Sequence, residues 1–345
     1  MKVVIVTTIV PFVRGGDRAI VSWLETALAE RGHEVETFRI PNHPAPAPLL
    51  AQLVGLRSLD FTDSCDRLIA IRTPSYVVRH PSKVVWFIHH RRPSYDLWET
   101  EHRDMPRGGD GWEYRRLMFA SDEVALNEAR AVFTNSEVMT DRLRDYNGID
   151  ATTLYPPLPP DHGIRPGPFG DYAVTVSRLV DHKRPRLAIE SLAKTRTPVK
   201  LVLAGNPSTA GYGNELREHA RRLGIADRVT VRDEWISDDL KRKLLGESLA
   251  VLSLPIDEDS YSYAALEGAT AAKPIITTSD SGGVLELVRD GINGMVRNPD
   301  PDELAEALDA LYVDRHMAAR QGDAQAGILR ELGLDWDHVV GSLLA

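Results

Sequence analysis

From Asp259 to Glu267 the chain reads Asp-Ser-Tyr-Ser-Tyr-Ala-Ala-Leu-Glu, with Ser281-Gly282-Gly283 downstream. Small and aromatic residues give way to Ala264-Ala265-Leu266-Glu267, so a short loop should run into a helix here. A loop entering a helix offers free backbone N–H groups, which attract phosphate or sugar oxygens. Glu267, in the first turns of that helix, has the chemistry to accept hydrogen bonds from a ribose diol. A second constellation, Ser177-Arg178-Leu179-Val180-Asp181-His182-Lys183-Arg184-Pro185, follows an apolar run and precedes a helical pattern. That is the carboxyl edge of a sheet, where open α/β folds bind ligands. A turn separates Arg178 from Lys183, so the planar fork of one and the point charge of the other can converge on a diphosphate. The competing reading is a pair of solvated surface cations.

Other candidates carry weaker signals. Asp257-Glu258-Asp259 contains an Asp-x-Asp, which can hold Mg²⁺ through nucleotide phosphates. The cations at Arg178 and Lys183 make such a metal less necessary, and no metal is expected. Gly15-Gly16 lets the backbone approach a ligand closely, but it is not a full Gly-x-Gly-x-x-Gly and is equally an ordinary tight turn. His89-His90-Arg91-Arg92 ends the apolar run Val84–Ile88. A histidine there could bond a sugar hydroxyl, orient an acceptor, or simply cap the strand. Adjacent side chains on an extended segment point to opposite faces, which argues against a shared metal. Tyr95, Trp98, Trp112 and Tyr114 stand among many charges in a long connecting stretch; they suit sugar stacking, a lipid head group, or anchoring of the loop itself. The sequence contains no recognisable Ser-His-Asp spacing, P-loop or HExxH.

The elements that must position these residues follow from patterning. At 345 residues, 43% hydrophobic and 26% charged, the chain suits two soluble α/β domains. A net charge of -9 argues against a general nucleic-acid binder. Cys65 is the sole cysteine, which excludes an internal disulfide and a cysteine-based zinc site and fits a reducing cytoplasm. The apolar start, Met1 to Pro11, lacks a charged leader and a small-residue cleavage site and reads as a strand rather than a signal peptide. No apolar run approaches the roughly twenty residues of a membrane span, so any membrane contact is expected to be peripheral.

Val3–Val6, the helical spacing Ile20-Leu24-Leu28, and Val35–Ile40 form one βαβ unit, with Arg14-Gly15-Gly16-Asp17 as its turn. Strands at 67–71, 84–88, 131–134 and 152–155 complete a first domain, 1–157. The proline- and glycine-rich stretch from Pro156 to Pro168 reads as the linker. A second domain, 158–330, restarts the alternation, with strands at 172–176, 199–204, 229–231, 250–254 and 274–277, and helices dominate from Pro301 onward. Two Rossmann-like domains facing a cleft are the predicted architecture.

With these residues in place, the chain resembles the retaining nucleotide-sugar glycosyltransferases of family four, which have the GT-B fold. The likeness runs essentially end to end. Gly15-Gly16 looks like the family's glycine turn, Arg178 and Lys183 like its basic pair, and Asp259 to Glu267 like its Glu-x7-Glu element with Asp in first place. Gly282-Gly283-Val284-Leu285-Glu286 and Gly291-Ile292-Asn293-Gly294 also match, and His89, with His90 next, fits the family's histidine. Trp336-Asp337 would begin a last helix, 331–345, that crosses back onto the N-terminal, acceptor-binding domain. The resemblance implies sugar transfer with retention and without a metal, from a UDP- or GDP-type donor to an acceptor sugar, lipid-linked glycan or small molecule. It implies that Arg178 and Lys183 stabilise the leaving diphosphate, Glu267 holds the ribose, and the backbone of Ser260, Tyr261, Ser262 and Tyr263 touches sugar and phosphate. It assigns Gly205 and Trp235 to the base and His89 to the donor sugar, and gives Asp259 a binding role. The family pattern Gly-Phe-Gly-Leu-Pro is here Ser260-Tyr261-Ser262-Tyr263-Ala264, and serine tolerates positive φ poorly. That departure motivates one alternative, a sugar-nucleotide-binding protein without turnover; a nucleotide-sugar epimerase on the same fold is another, and the Asp259-x7-Glu267 element argues against it.

Overall fold

Two all-parallel sheets of six strands organise the chain. The computed structural model describes residues 1–11, 16–42, 45–101 and 103–345. Contacts divide these into two compact units, Met1–Pro159 with Gly333–Ala345, and Pro160–Leu332.

The first unit holds β1 (Lys2–Ile9), β2 (Glu34–Pro41), β3 (Arg67–Ile71), β4 (Lys83–Phe87), β5 (Ala131–Thr134) and β6 (Thr152–Thr153), in the order β2-β1-β3-β4-β5-β6. Along β1 the apolar residues do not alternate with polar ones, because both faces are covered. Val3 and Ile5 enter a cluster with Ile20, Leu24, Leu28 and Trp86, while Val4 and Val6 enter another with Leu49, Leu53 and Phe87. Helix Trp336–Leu344 belongs to the first of these clusters through Trp336, Val339, Val340 and Leu343. Asp335 caps it by accepting from the His338 N–H. Trp336 donates Nε1–H to the Leu158 carbonyl at 2.9 Å and lies edge-on to Trp86.

The second unit holds β7 (Tyr172–Val176), β8 (Lys200–Ala204), β9 (Val229–Arg232), β10 (Ala250–Ser253), β11 (Ile275–Thr278) and β12 (Gly294–Arg297), in the order β12-β11-β10-β7-β8-β9. Counted within the unit, that is the doubly wound order 3-2-1-4-5-6, and the strand order reverses between β7 and β10. Part of the proline-rich stretch docks here. Buried Lys273 donates to the Gly167 and Pro168 carbonyls at 2.8 and 3.0 Å, with its ammonium 4.1 Å from the centroid of the Phe169 ring.

Some sequence expectations shift. Gly16 opens helix Gly16–Glu30 rather than closing a turn, and Arg14 and Gly15 lie outside the described residues. Helix Pro46–Arg57 and strand β12 had no counterpart in the sequence reading. The 93–114 stretch is anchored from within: Tyr95, Trp98 and Tyr114 are buried, and the Arg115 guanidinium lies over the Trp98 and Phe119 rings. Among the described residues no helix is long and apolar enough to cross a membrane.

Candidate functional site

The carboxyl ends of β7 and β10 flank the switch point of the second unit, and the loops leaving them carry the two constellations singled out above. After β7 the chain passes through Ser177 and Arg178 into a single turn, Asp181–Lys183, before helix Pro185–Lys194. Arg178 is exposed and forms no ion pair among the described residues. Lys183 is different: its ammonium pairs with the Glu258 carboxylate on the loop after β10. The next residue, Arg184, adopts φ 52° and forks onto Asp280 beyond β11, also donating to Thr278 Oγ1 at 3.1 Å. The hydrogen bonds from Arg184 to Asp280 hold the Asp280 carboxyl below the usual carboxylate range. On the other side Tyr212 donates its phenol proton to Asp181. The turn between Arg178 and Lys183 is thus tied to the loop after β10 on one side and to the start of helix Tyr212–Arg222 on the other.

Glycine is required where these loops touch. At Gly205, which follows β8 with φ +146°, a Cβ would stand 2.0 Å from the Ser177 carbonyl oxygen. The loop bearing Arg178 therefore lies directly on Gly205. At Gly282, φ +63°, a Cβ would stand 2.4 Å from the Glu258 carbonyl oxygen, and at Gly283 one would stand 2.6 Å from the Ser260 carbonyl carbon. The Gly-Gly pair thus shapes the Glu258–Ser260 loop from beneath, and the Gly283 N–H donates to the Glu258 carbonyl at 2.9 Å.

Asp259 and Ser260 are half-buried at the start of this loop, and Tyr261 is buried, edge-on to Tyr263. Ser262 occupies the N-cap position of helix Tyr263–Thr270 with φ -64° and ψ 131°. Neither Ser260 nor Ser262 has positive φ, so this loop does not require the glycines of the family pattern. Glu267 is buried on that helix, where its carboxylate Oε1 accepts from Lys241 Nζ at 2.6 Å. Burial pushes the Glu267 carboxyl up, and Lys241 offsets part of that rise. Trp235, 60% exposed, follows β9 in the same unit.

The remaining expected residues lie in the first unit. His89 is half-buried, its Nδ1 2.8 Å from the His90 carbonyl oxygen. His90 is an interior residue, with Nε2 2.8 Å from Asn147 Oδ1 and its ring against Phe87 and Tyr95. Burial lowers it to about 4, so it is neutral. Of the two histidines, His89 alone retains exposure toward solvent, and His90 is a core residue. Buried Asp122 accepts from the phenols of Tyr76 and Tyr95 at 2.8 and 2.6 Å and is pushed up to about 6 by burial.

Two participants were missed from sequence. Glu258 is the middle residue of Asp257-Glu258-Asp259, a pattern that points to its outer pair. Lys241 stands on helix Asp238–Gly246, remote in sequence, and no spacing rule links it to Glu267. Among the described residues no three His, Cys, Asp or Glu side chains gather as a metal site.

Two parallel doubly wound sheets of this order match the GT-B class of α/β structures. Residues 169–326, all within the second unit, match the family description Glycosyl transferases group 1. Among curated relatives, alpha-maltose-1-phosphate synthase of Mycobacterium tuberculosis is 28% identical over 272 residues, 71% of this chain and 69% of that protein. D-inositol 3-phosphate glycosyltransferase of Stackebrandtia nassauensis is 25% identical over 284 residues, 75% of this chain and 62% of that protein. Among solved structures, Anabaena Alr3699/HepE in complex with UDP and glucose shares the fold, with a TM-score of 0.72 over 99% of both chains at 18% identity.

Proposed function

We propose that this chain moves a sugar from a nucleoside-diphosphate sugar to an acceptor hydroxyl, with retention at the anomeric carbon and without a bound metal. The reading is carried by one observation: Arg178 and Lys183 follow β7 while Ser260 to Glu267 follow β10, on either side of the switch point. UDP in the Anabaena structure and the glycosyltransferase name of the Stackebrandtia relative support it.

In this reading Arg178 takes the diphosphate oxygens by its fork, and Lys183 exchanges Glu258 for phosphate. Both stabilise negative charge as it develops on the leaving group, usually the largest catalytic term. The backbone N–H groups of Ser260 to Tyr263 meet sugar and phosphate oxygens at the helix entry. Glu267 accepts from the ribose hydroxyls, and Gly205 with Trp235 borders the base. Retention by double displacement would need a carboxylate nucleophile under the anomeric carbon. Asp259 is assigned to binding instead, and the proposed step is front-face displacement: the bond to the leaving phosphate breaks as the acceptor oxygen bonds to the same face, and the phosphate takes the acceptor's proton. A trapped covalent glycosyl–Asp259 species would overturn that mechanism.

The test is thermal denaturation with UDP, GDP, dTDP and ADP, with and without EDTA, because binding to the folded state raises the midpoint. One diphosphate should raise it, insensitively to EDTA, and the rise should disappear in Lys183→Ala. No shift with any of them would reject the assignment.

A further inference from the structure

We infer that Lys241 is a positioning residue for nucleotide recognition, holding the Glu267 carboxylate ionised and oriented to receive a ribose diol. The inference rests on the proposed role of Glu267 in holding the ribose.

Glu267 is 8% exposed, and its helix neighbours Ala264, Ala265, Leu266 and Ala269 are buried around it. A carboxylate so placed takes up a proton rather than remain charged unless a cation compensates it. Lys241 is that cation. Its Nζ donates to Oε1 at 2.6 Å, and with 26% side-chain exposure it spans from the surface to the buried oxygen. Among the described residues Oε2 accepts no hydrogen bond, so it is the oxygen open to a ligand. The charged groups that face Glu267 both come from helix Asp238–Gly246: Lys241, which favours the ionised form, and Asp238, which opposes it from 3.6 Å beyond the ammonium. Ser237 fixes the start of that helix by accepting from the Leu240 N–H at 3.2 Å, so Lys241 is presented from an ordered first turn.

The chemistry makes ionisation matter. A carboxylate is an acceptor only and can take both hydroxyls of a vicinal diol in charge-assisted bonds. A neutral carboxyl must donate with one oxygen and loses that match. Lys241 therefore tunes selectivity for a ribonucleotide over its 2′-deoxy analogue, a property separate from the diphosphate contacts.

Calorimetric titration with UDP and 2′-deoxy-UDP, and with the GDP and ADP pairs, at pH 5.5 and 8.5 reads this selectivity directly. The ratio of the two affinities cancels the titration of the diphosphate. Wild-type protein should prefer the ribonucleotide equally at both pH values. Lys241→Met should lose about tenfold of that preference at pH 5.5 and regain it at pH 8.5. Lys241→Arg should behave as wild type, and Glu267→Gln should lose the preference at both pH values. Wild-type selectivity in Lys241→Met, with Glu267→Gln impaired, would overturn the inference while leaving the ribose reading intact. Loss in Lys241→Met that is equal at both pH values and shared by Lys241→Arg would mark mere structural damage and also overturn it. Unchanged selectivity in Glu267→Gln, or no nucleotide bound by wild-type protein, would remove the ribose reading itself.

Discussion

In its proposed role Lys183 has a rival for the diphosphate already in place. Glu258 holds its ammonium, so a diphosphate must displace a carboxylate, whereas exposed Arg178 has no such competitor among the described residues. Replacing Glu258 by Gln removes the competing charge and should tighten diphosphate binding by about three- to tenfold, a modest effect because the pair is partly exposed. Lys183→Ala should cost about 10²–10³ in turnover, the usual scale for one transition-state contact. Steady-state kinetics and titration calorimetry on the two variants check both. Two buried residues of the first unit should give stability opposing pH dependences. Asp122 is raised from 3.8 to about 6, so its contribution to stability is complete below about pH 4 and is lost as pH rises through 6. His90 is lowered from 6.5 to about 4, so its contribution is complete above pH 6.5 and is lost as pH falls through 4. Between pH 4 and 6 the two oppose each other. Asp122→Asn should unmask the histidine and make the protein less stable on acidification, by roughly 2–3 kcal/mol across the window. His90→Phe should reverse the slope. Denaturant melts at several pH values would show it, and parallel slopes in the two variants would sink the assignment.

At the scale of elements, the loops that carry function are held by glycines and ion pairs rather than by regular structure. Gly282→Ala forces a side chain into positive φ and against the Glu258 carbonyl oxygen. The conformation alone costs roughly 1–3 kcal/mol. The variant should lower the melting midpoint and weaken diphosphate binding together, because the displaced loop leads into the Ser260–Tyr263 N–H groups proposed to meet the phosphate. A midpoint that falls with binding untouched would separate the Gly-Gly pair from the site. The same contrast explains what the sequence reveals. Strands such as 67–71 and 172–176 are legible because both sheet faces are buried and the runs are mostly apolar without alternation, interrupted only by Arg67 and Thr175. Strand β12 is short, and its Gly294-Met295-Val296-Arg297 run begins inside a glycine-bounded turn, so it reads as turn. Helix Pro46–Arg57 buries Leu49, Leu53 and Leu56 at helical spacing, but Pro46, Pro48 and Gly55 obscure it, although proline is well tolerated in a first turn. Arg178, Lys183 and the loop into Glu267 were legible because helix-entry chemistry is local. Glu258 and Lys241 were not, because ion pairs between loops depend on which strands become neighbours.

For the whole molecule, the division of the chain makes an asymmetric demand. Residues 160–332 are continuous and contain their own core, from Ala173 through Leu201, Leu252 and Leu304 to Ala318. The other unit is discontinuous and takes helix Trp336–Leu344 from beyond it. Trp336, Val339, Val340 and Leu343 are all buried against β1, β3 and β4 residues. At about 1.5–3 kcal/mol for each such side chain, the helix supplies roughly 6–12 kcal/mol, which is comparable with the whole stability of an ordinary domain. A fragment of residues 1–159 should therefore lack a cooperative thermal transition, and fusing residues 333–345 to it through a short flexible linker should restore one. The 160–332 fragment should melt cooperatively alone and bind the same nucleoside diphosphate as the full chain, since Arg178, Lys183, Lys241, Glu258 and Glu267 all lie within it. Circular dichroism melts of the three fragments decide the first point, and calorimetry decides the second. A well-folded 1–159 fragment would show the returning helix to be dispensable cover. A folded 160–332 fragment that fails to bind would mean that nucleotide recognition needs residues of the other unit.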